Sequence, residues 1–324
     1  MIVVTGGAGF IGSAMIAKLN EKGREDILVV DNLGSTDKWK NLVGKKFADY
    51  LHKDAFLKAL DGGAFPHGEF DAIIHLGACS STTERNVDYL MQNNYYYSKR
   101  LADYATWGEV RFIYASSAAT YGNGEQGFSD DDAVTPHLHP LNPYGYSKQV
   151  FDLWAMRNNL LGQIAGIKFF NVFGPNEYHK GEMKSLIAKA YRQIVDTGKV
   201  RLFKSHRPDY KDGEQVRDFV YVKDCTETLW WLLENKNVNG IFNLGTGHAR
   251  SWNALANAIF SALGRETNIE YIDMPESIRN AYQYHTEAVM TKLKARGCPV
   301  EFSSLEDSVR DYVVNYLHKG ELHF

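Results

Sequence analysis

Ile2-Val3-Val4-Thr5-Gly6-Gly7-Ala8-Gly9-Phe10-Ile11-Gly12 stands at the head of the chain and decides the fold. Its first four residues read as a short buried strand, and the apolar pattern from Ile11 to Lys22 reads as a helix. The glycines at 6, 9 and 12 between them allow a tight turn, close backbone approach to a pyrophosphate, and close helix–strand packing. Free amides and the positive end of the helix dipole then face phosphate. A glycine-rich turn alone is weak evidence. Placed between a strand and a helix, it points to a dinucleotide.

The same rhythm continues downstream. Ile27–Asp31, Ala72–Leu76, Phe112–Ser116 and Ile164–Phe170 read as further strands, with helices at Lys53–Leu60, Tyr89–Thr106 and Ser147–Leu160. Alternating strands and helices imply right-handed crossovers and a parallel sheet covered on both faces. After about Gly174 the rhythm loosens. Glu182–Thr197, Val222–Leu233, Ser251–Leu263 and Ser304–Leu317 read as helical, Arg201–Phe203, Arg217–Tyr221 and Ile241–Leu244 as extended, and Lys204–Gln215 as a polar loop. A cofactor domain over 1–174 is therefore expected, re-entered around 217–247, with 175–324 forming mainly a smaller cap.

Composition closes off other classes. With 324 residues, 44% hydrophobic and 23% charged, the chain has ample material for a buried core. A net charge of −3 gives no electrostatic reason for nucleic acid or a membrane surface as partner. The three cysteines, Cys79, Cys225 and Cys298, lack CxxC spacing, and the eleven histidines lack metal spacing. Neither a disulfide framework nor a metal is expected. No apolar run approaches the ~20 residues of a membrane span, and Met1 leads straight into the first strand, so a cytoplasmic address is expected.

Asp31 ends the second strand, 19 positions past Gly12, where a carboxylate usually holds the adenosine ribose. Alone it favours NAD, but Asn32, Lys38 and Lys53 lie near enough in sequence for the lysines to neutralise a 2′-phosphate. Spacing leaves NAD and NADP even.

Tyr144 and Lys148 are four residues apart at a helix start, so one turn places them on one face. A free phenol titrates near 10, and lowering that by about three units requires roughly 4 kcal/mol of differential stabilisation. A lysine ammonium and an oxidised nicotinamide nearby both favour phenolate. Ser116-Ser117 closes a strand about 30 residues earlier, where a serine, Ser117, can share a substrate hydroxyl with the tyrosine.

The glycine loop, the serine strand end and the YxxxK pair, in this order, resemble the extended short-chain dehydrogenase/reductase family of nucleotide-sugar epimerases and dehydratases. Arg217-Asp218-Phe219-Val220-Tyr221-Val222-Lys223-Asp224 and Gly240-Ile241-Phe242-Asn243-Leu244-Gly245-Thr246-Gly247 extend the likeness over nearly the whole chain. The resemblance implies an α/β fold: a Rossmann doubly wound parallel sheet with a smaller C-terminal α/β substrate-binding domain. Ser117-Ala118-Ala119-Thr120-Tyr121-Gly122 lacks the acid pair of the dehydratase branch, which disfavours elimination. Gly77–Glu84, Asn93-Asn94-Tyr95, Tyr114–Gly122, Phe170–Pro175 and His179-Lys180-Gly181 are similar to the branch that epimerises an ADP-linked heptose for the lipopolysaccharide inner core.

That branch implies tightly held NADP, tipping the Asp31 question, with Asn32, Lys38 and Lys53 as contacts. It also implies that Phe10, Ile11, Leu76, Gly77, Ala78, Cys79, Ser80, Asn93 and Val172 line the cofactor, beside Tyr144, Lys148 and Lys180. Asn171, Phe203, Arg217 and Tyr282 match substrate positions. Glu182 and Lys189 stand where that pocket carries a small polar residue and a histidine. Lys180 matches a second acid/base, although read alone it is a loop lysine that attracts a diphosphate. The resemblance further implies a ring-like homo-oligomer, a pentamer. Two rival readings are an epimerase acting at another carbon, such as C4, and a non-catalytic NADP sensor, which the intact YxxxK pair argues against.

Overall fold

The computed structural model describes residues 1–66, 68–279 and 282–324. Seven parallel strands form the main sheet: β1 (Ile2–Thr5), β2 (Ile27–Asp31), β3 (Asp49–His52), β4 (Ala72–His75), β5 (Arg111–Ser117), β6 (Ile164–Phe169) and, entering late, β7 (Gly240–Leu244). Their spatial order is β7-β6-β5-β4-β1-β2-β3. The chain leaves β1 on one side and returns from β3 on the other, so connections reverse between β1 and β4. Ligands of open parallel sheets sit at that reversal, beyond the carboxyl ends of the strands.

The period of two along the strands explains the layers. Ile2 and Val4, with Ile27, Val29 and Ile74, face a core that includes Met15, Ile16 and Leu19 of α1 (Phe10–Glu21). Leu229 and Leu232 of the helix Val222–Glu234 complete that side. Val3, Leu28, Ile73 and Phe112 point the other way, against Leu101, Ala102 and Ala105 of the helix Tyr97–Trp107. Phe151 and Ala155 of the helix Pro143–Arg157 join them. Burial on both faces is why these strands read as unbroken apolar runs.

The second half builds around a separate core. A helix, Leu186–Thr197, and another, Trp252–Ala262, pack with the parallel pair Val200–Phe203 and Ile269–Ile272. A three-stranded sheet carries Asn171–Phe173, Val216–Tyr221 and Ala249–Ser251, with Val216–Tyr221 in the middle. Phe10 and Ala14 belong to this core rather than to the first. The helix that starts at the glycine loop therefore touches both halves.

Several boundaries differ from the sequence reading, each for a local reason. The helix expected from Ser147 begins at Pro143, because the Asn142 side chain accepts from the Gly145 amide and proline suits the first turn. The strand Asp49–His52 was hidden by its polar edge residues. The helix expected over Tyr89–Thr106 spans Val87 to Trp107, with a π-helical turn at Met91–Tyr96. Tyr97 is buried there while Tyr96 is half exposed, so the rings of Tyr96 and Tyr97 leave the helix on different sides. Among the described residues no helix is long and apolar enough to cross a membrane.

Candidate active site

At the glycine loop the backbone leaves no room for side chains. Gly6 has φ +65°, and a Cβ there would lie 2.6 Å from the Gly77 amide nitrogen. A Cβ on Gly12 would lie 2.1 Å from the Gly6 carbonyl oxygen. The loop is braced from below by Asp31, whose carboxylate accepts from the Ala8 amide at 2.8 Å and the Asn32 amide at 2.6 Å. The same carboxylate pairs with Lys38 at 2.6 Å. From the side, the buried Asn41 amide donates to the Ala8 carbonyl at 2.9 Å and to the Asn176 carbonyl at 3.1 Å.

A groove runs along the strand ends. One part, about 460 Å³, is walled by Gly6, Gly9, Phe10, Ile11, Gly12, Asp31, Asn32, Lys38, Leu76, Gly77, Ala78, Ser80 and Lys180. A narrower recess of about 120 Å³ adds Lys53, Cys79 and Asn93 beside Asp31 and Lys38. Lys53 bonds Asp54 at 2.7 Å and lies 5.8 Å from the Tyr97 ring centre, so its position is held from two sides.

The groove opens into a cleft of about 400 Å³ that holds Ser117, Tyr144, Lys148, Asn171, Val172 and Lys180. Every residue expected to carry chemistry faces this one space. Burial pushes the Tyr144 phenol above its ordinary value, and the Ser117 hydroxyl beside it pulls it down only in part. Lys148 lines the same cleft, its ammonium donating to the Ala115 carbonyl at 2.8 Å. Burial takes Lys148 down to about 8, against the opposing charge of Asp152 one turn further on. Burial likewise lowers Lys180, whose ammonium lies 5.3 Å from the Phe10 ring centre.

Beneath the cleft floor lies a network that the sequence reading missed. Asp152 accepts from Tyr114 at 2.9 Å, Ser116 at 2.7 Å and Lys168 at 2.7 Å, and Lys168 also donates to Thr120 at 2.8 Å. Asp152 and Lys168 are wholly buried. The spacing Tyr144, Lys148, Asp152 repeats every four residues and signals a shared helix face, but nothing local identifies Lys168 as the partner. His75 is a satisfied core histidine: its ring nitrogens meet Thr5 at 2.6 Å and Ser98 at 2.8 Å.

Substrate-side residues are placed less uniformly. Asn171 lines the cleft, together with Met183, Lys184, Ser185, Phe219 and Trp252, none of which the sequence singled out. Arg217 is buried behind Trp252, its guanidinium 5.6 Å from that ring and 5.2 Å from Tyr282. The Tyr282 hydroxyl accepts from the Trp252 indole at 2.9 Å. Arg217 and Asp218 form no ion pair: Asp218 accepts from Thr246, Gly247 and Ala288. Phe203 lies off the cleft wall. Glu182 is fully exposed and pairs with the partly exposed Lys189 at 3.1 Å, and neither is among the residues of the cleft wall.

Residues 2–245 match the model of the NAD dependent epimerase/dehydratase family. The chain belongs to that family. It is 60% identical over 317 residues to ADP-L-glycero-D-manno-heptose-6-epimerase of Nitratidesulfovibrio vulgaris strain DP4, covering 98% of each chain. The crystal structure of Helicobacter pylori ADP-L-glycero-D-manno-heptose-6-epimerase superimposes with a TM-score of 0.82 at 28% identity, over 97% of this chain and 95% of that one. A UDP-glucose 4-epimerase of Thermotoga maritima, crystallised with UDP-glucose, gives 0.80 at 27% identity over 98% of both. The seven-stranded parallel sheet flanked by helices is thus the family fold, and the acid pair that eliminating members use is missing after Ser117.

Proposed function

We propose that this protein inverts C6 of the heptose in an ADP-linked glycero-manno-heptose, with NADP in the groove beyond β1, β2 and β4. One observation carries the reading: Tyr144 and Lys180, two proton-transfer groups from different elements, line a single cleft. The relative at 60% identity supports the sugar. Residues 1–174, with the re-entering stretch 217–247, serve the cofactor, and 175–324 mainly the substrate.

The groove fits a dinucleotide with an extra phosphate. Gly6, Gly9 and Gly12 keep side chains out of the pyrophosphate path, as the close approach of Gly12 to Gly6 requires. Lys38 and Lys53 flank the recess at the adenosine end, and the Asp31 carboxylate is already engaged by Lys38 and two amides. A 2′-phosphate there meets two ammonium groups and a carboxylate already paired with one of them. Bound nicotinamide supplies reversible hydride acceptance at the sugar carbon and a positive charge beside the phenol.

The chain's own residues handle the proton. Ser117 orients the C6 hydroxyl, and Tyr144 takes its proton, a transfer helped by the lowered cost of phenolate when cations stand near. Lys148 anchors the strand end through Ala115 and keeps positive charge beneath the site. Inversion requires the C6 oxygen to occupy two positions, and Lys180 serves the second. Asn171 holds the sugar. Trp252 forms the wall toward the nucleotide, backed by Arg217 and Tyr282. The family likeness also supports a cytoplasmic homo-oligomer, a pentamer.

The test is incubation of the cofactor-loaded protein with both ADP-heptose C6 epimers, following their interconversion by proton NMR. UDP-glucose is included because of the 4-epimerase likeness. Interconversion of the heptoses alone supports the reading; turnover of UDP-glucose alone defeats it. Mass identification of nucleotide released on denaturation checks the cofactor, and finding only NAD removes the NADP assignment.

A further inference from the structure

Glu177 is wholly buried, and the proton handling above uses it nowhere. It lies between the strand Asn171–Phe173 and the helix Leu186–Thr197, three residues before Lys180. Its carboxylate reaches both ends of the turn that carries that lysine. One oxygen accepts from the Ser185 amide at 2.6 Å. The other accepts from the Ser185 hydroxyl at 2.6 Å and the Gly174 amide at 3.4 Å. Its main-chain carbonyl accepts from the Lys180 amide at 3.0 Å.

A buried carboxylate is costly unless its surroundings use its charge. Its three donors, the Ser185 and Gly174 amides and the Ser185 hydroxyl, are all neutral, so none of them balances its charge. Among the described residues Glu177 and Lys180 form no ion pair, yet each lies in the other's field. The titratable groups that share a wall with Lys180 are Tyr144 and Lys148 of the helix Pro143–Arg157, His179 and Lys184 of its own turn, and Asp31 and Lys38 across the groove, while Tyr312 stands against Glu177. Burial takes His179 down to about 4, so it is neutral at physiological pH. Glu177 is the negative charge that acts on Lys180.

We propose that Glu177 is a positioning residue for Lys180: it clamps the turn 178–184 at Gly174 and Ser185, so that the lysine lies over Phe10 and faces the cleft. This rests on the reading of Lys180 as the second acid/base. Glu177 touches neither substrate nor cofactor and acts only through that side chain. Its negative charge also favours the protonated lysine, opposing the burial that lowers it.

The experiment is a kinetic cycle on the cofactor-loaded enzyme with E177A, E177Q, K180M and E177A/K180M, each checked by thermal melting. E177A should lower kcat by about 10–100-fold with KM within about threefold, the cost of a displaced catalytic group. In the K180M background the same change should add less than about twofold, because the two act as one unit. E177Q keeps an acceptor for the Ser185 amide and a donor for its hydroxyl, and loses only the longer contact from the Gly174 amide. It should recover most of kcat, while the limb of the pH–rate profile that disappears in K180M moves toward acid by about 0.5–1 unit. Multiplying losses in the double variant overturn the proposal, as does an unmoved limb in E177Q. Should E177A fail to fold, the E177Q limb decides. Near-normal kcat in K180M overturns the acid/base reading by itself, a failure seen without reference to Glu177.

Discussion

The two ends of the groove are built by different means. At the cofactor end, the turn is shaped within one strand–turn–helix unit, Gly6 against Gly12, and Asp31 and Gly77 at the ends of other strands of the same sheet only brace it. At the substrate end, the cleft wall is assembled from Asn171, Ser185, Phe219 and Trp252, drawn from four elements, with Arg217 wedged between Trp252 and Tyr282 behind it. Backbone sterics specify the first; side-chain packing over long separations specifies the second. The first should fail abruptly when altered, and the second by degrees.

The sharpest break should come at the point where both ends meet. Tyr144→Phe removes the proton acceptor without disturbing the loop, so turnover should fall by about 10²–10⁴-fold. Released-nucleotide stoichiometry should stay near the wild-type value. Near-normal turnover in the folded variant would show that the phenol is not the base. Ser117→Ala should lose less, since the hydroxyl orients and does not take the proton.

Gly12→Ala tests the abruptness of the cofactor end. A methyl 2.1 Å from the Gly6 carbonyl cannot be accommodated unless the helix shifts. Overpacking of this kind costs about 1–3 kcal/mol, so the purified variant should melt lower and carry little nucleotide. Full cofactor content would mean that the loop is softer than its geometry implies.

Next comes the phosphate. Lys38→Ala removes one charge-assisted contact, worth about 1.5–3 kcal/mol, and should weaken NADP about 10–100-fold while changing NAD much less. Equal weakening of both, measured by titration into stripped protein, would place Lys38 at Asp31 only.

His75 offers a pH test inside the sheet. Burial holds its imidazole down at about 3, against 6.5 for the free side chain. The unfolded chain therefore binds this proton more readily, and the neutral ring's contribution is complete above pH 6.5. Stability should fall as pH drops from about 6.5 toward 3, by up to about 1.4 kcal/mol per unit from this group. His75→Gln should flatten that slope in urea titrations. An unchanged slope would mean that other groups govern it.

The smallest effect belongs to the far side of the substrate end. Glu182 and Lys189 pair on the surface, and exposed pairs contribute about 0.2–1 kcal/mol. Glu182→Ala should leave kcat and KM within about twofold. A larger change in KM would restore it to the substrate site.

What was legible in the sequence follows the same division. Ile2–Thr5, Ile27–Asp31 and the glycines could be read because strand burial and positive φ are imposed by a residue's own chemistry and its near neighbours. Tyr144 and Lys148 share a helix face whatever the rest of the chain does. Even the late start assigned to their helix had a local signal, Asn142-Pro143. By contrast, Asp152 finds Lys168 sixteen residues away, and Trp252 meets Arg217 across thirty-five. Glu177 and Ser185 enclose Lys180 only because two flanking elements converge. Such contacts are chosen by how separate elements pack, and no spacing along the chain encodes that choice. The sequence alone determined a dinucleotide sheet and the helix face that bears Tyr144 and Lys148. Tertiary structure decided which side chains wall the substrate and which buried charges steady Lys148 and Lys180, because long-range packing and desolvation arise only when the elements come together.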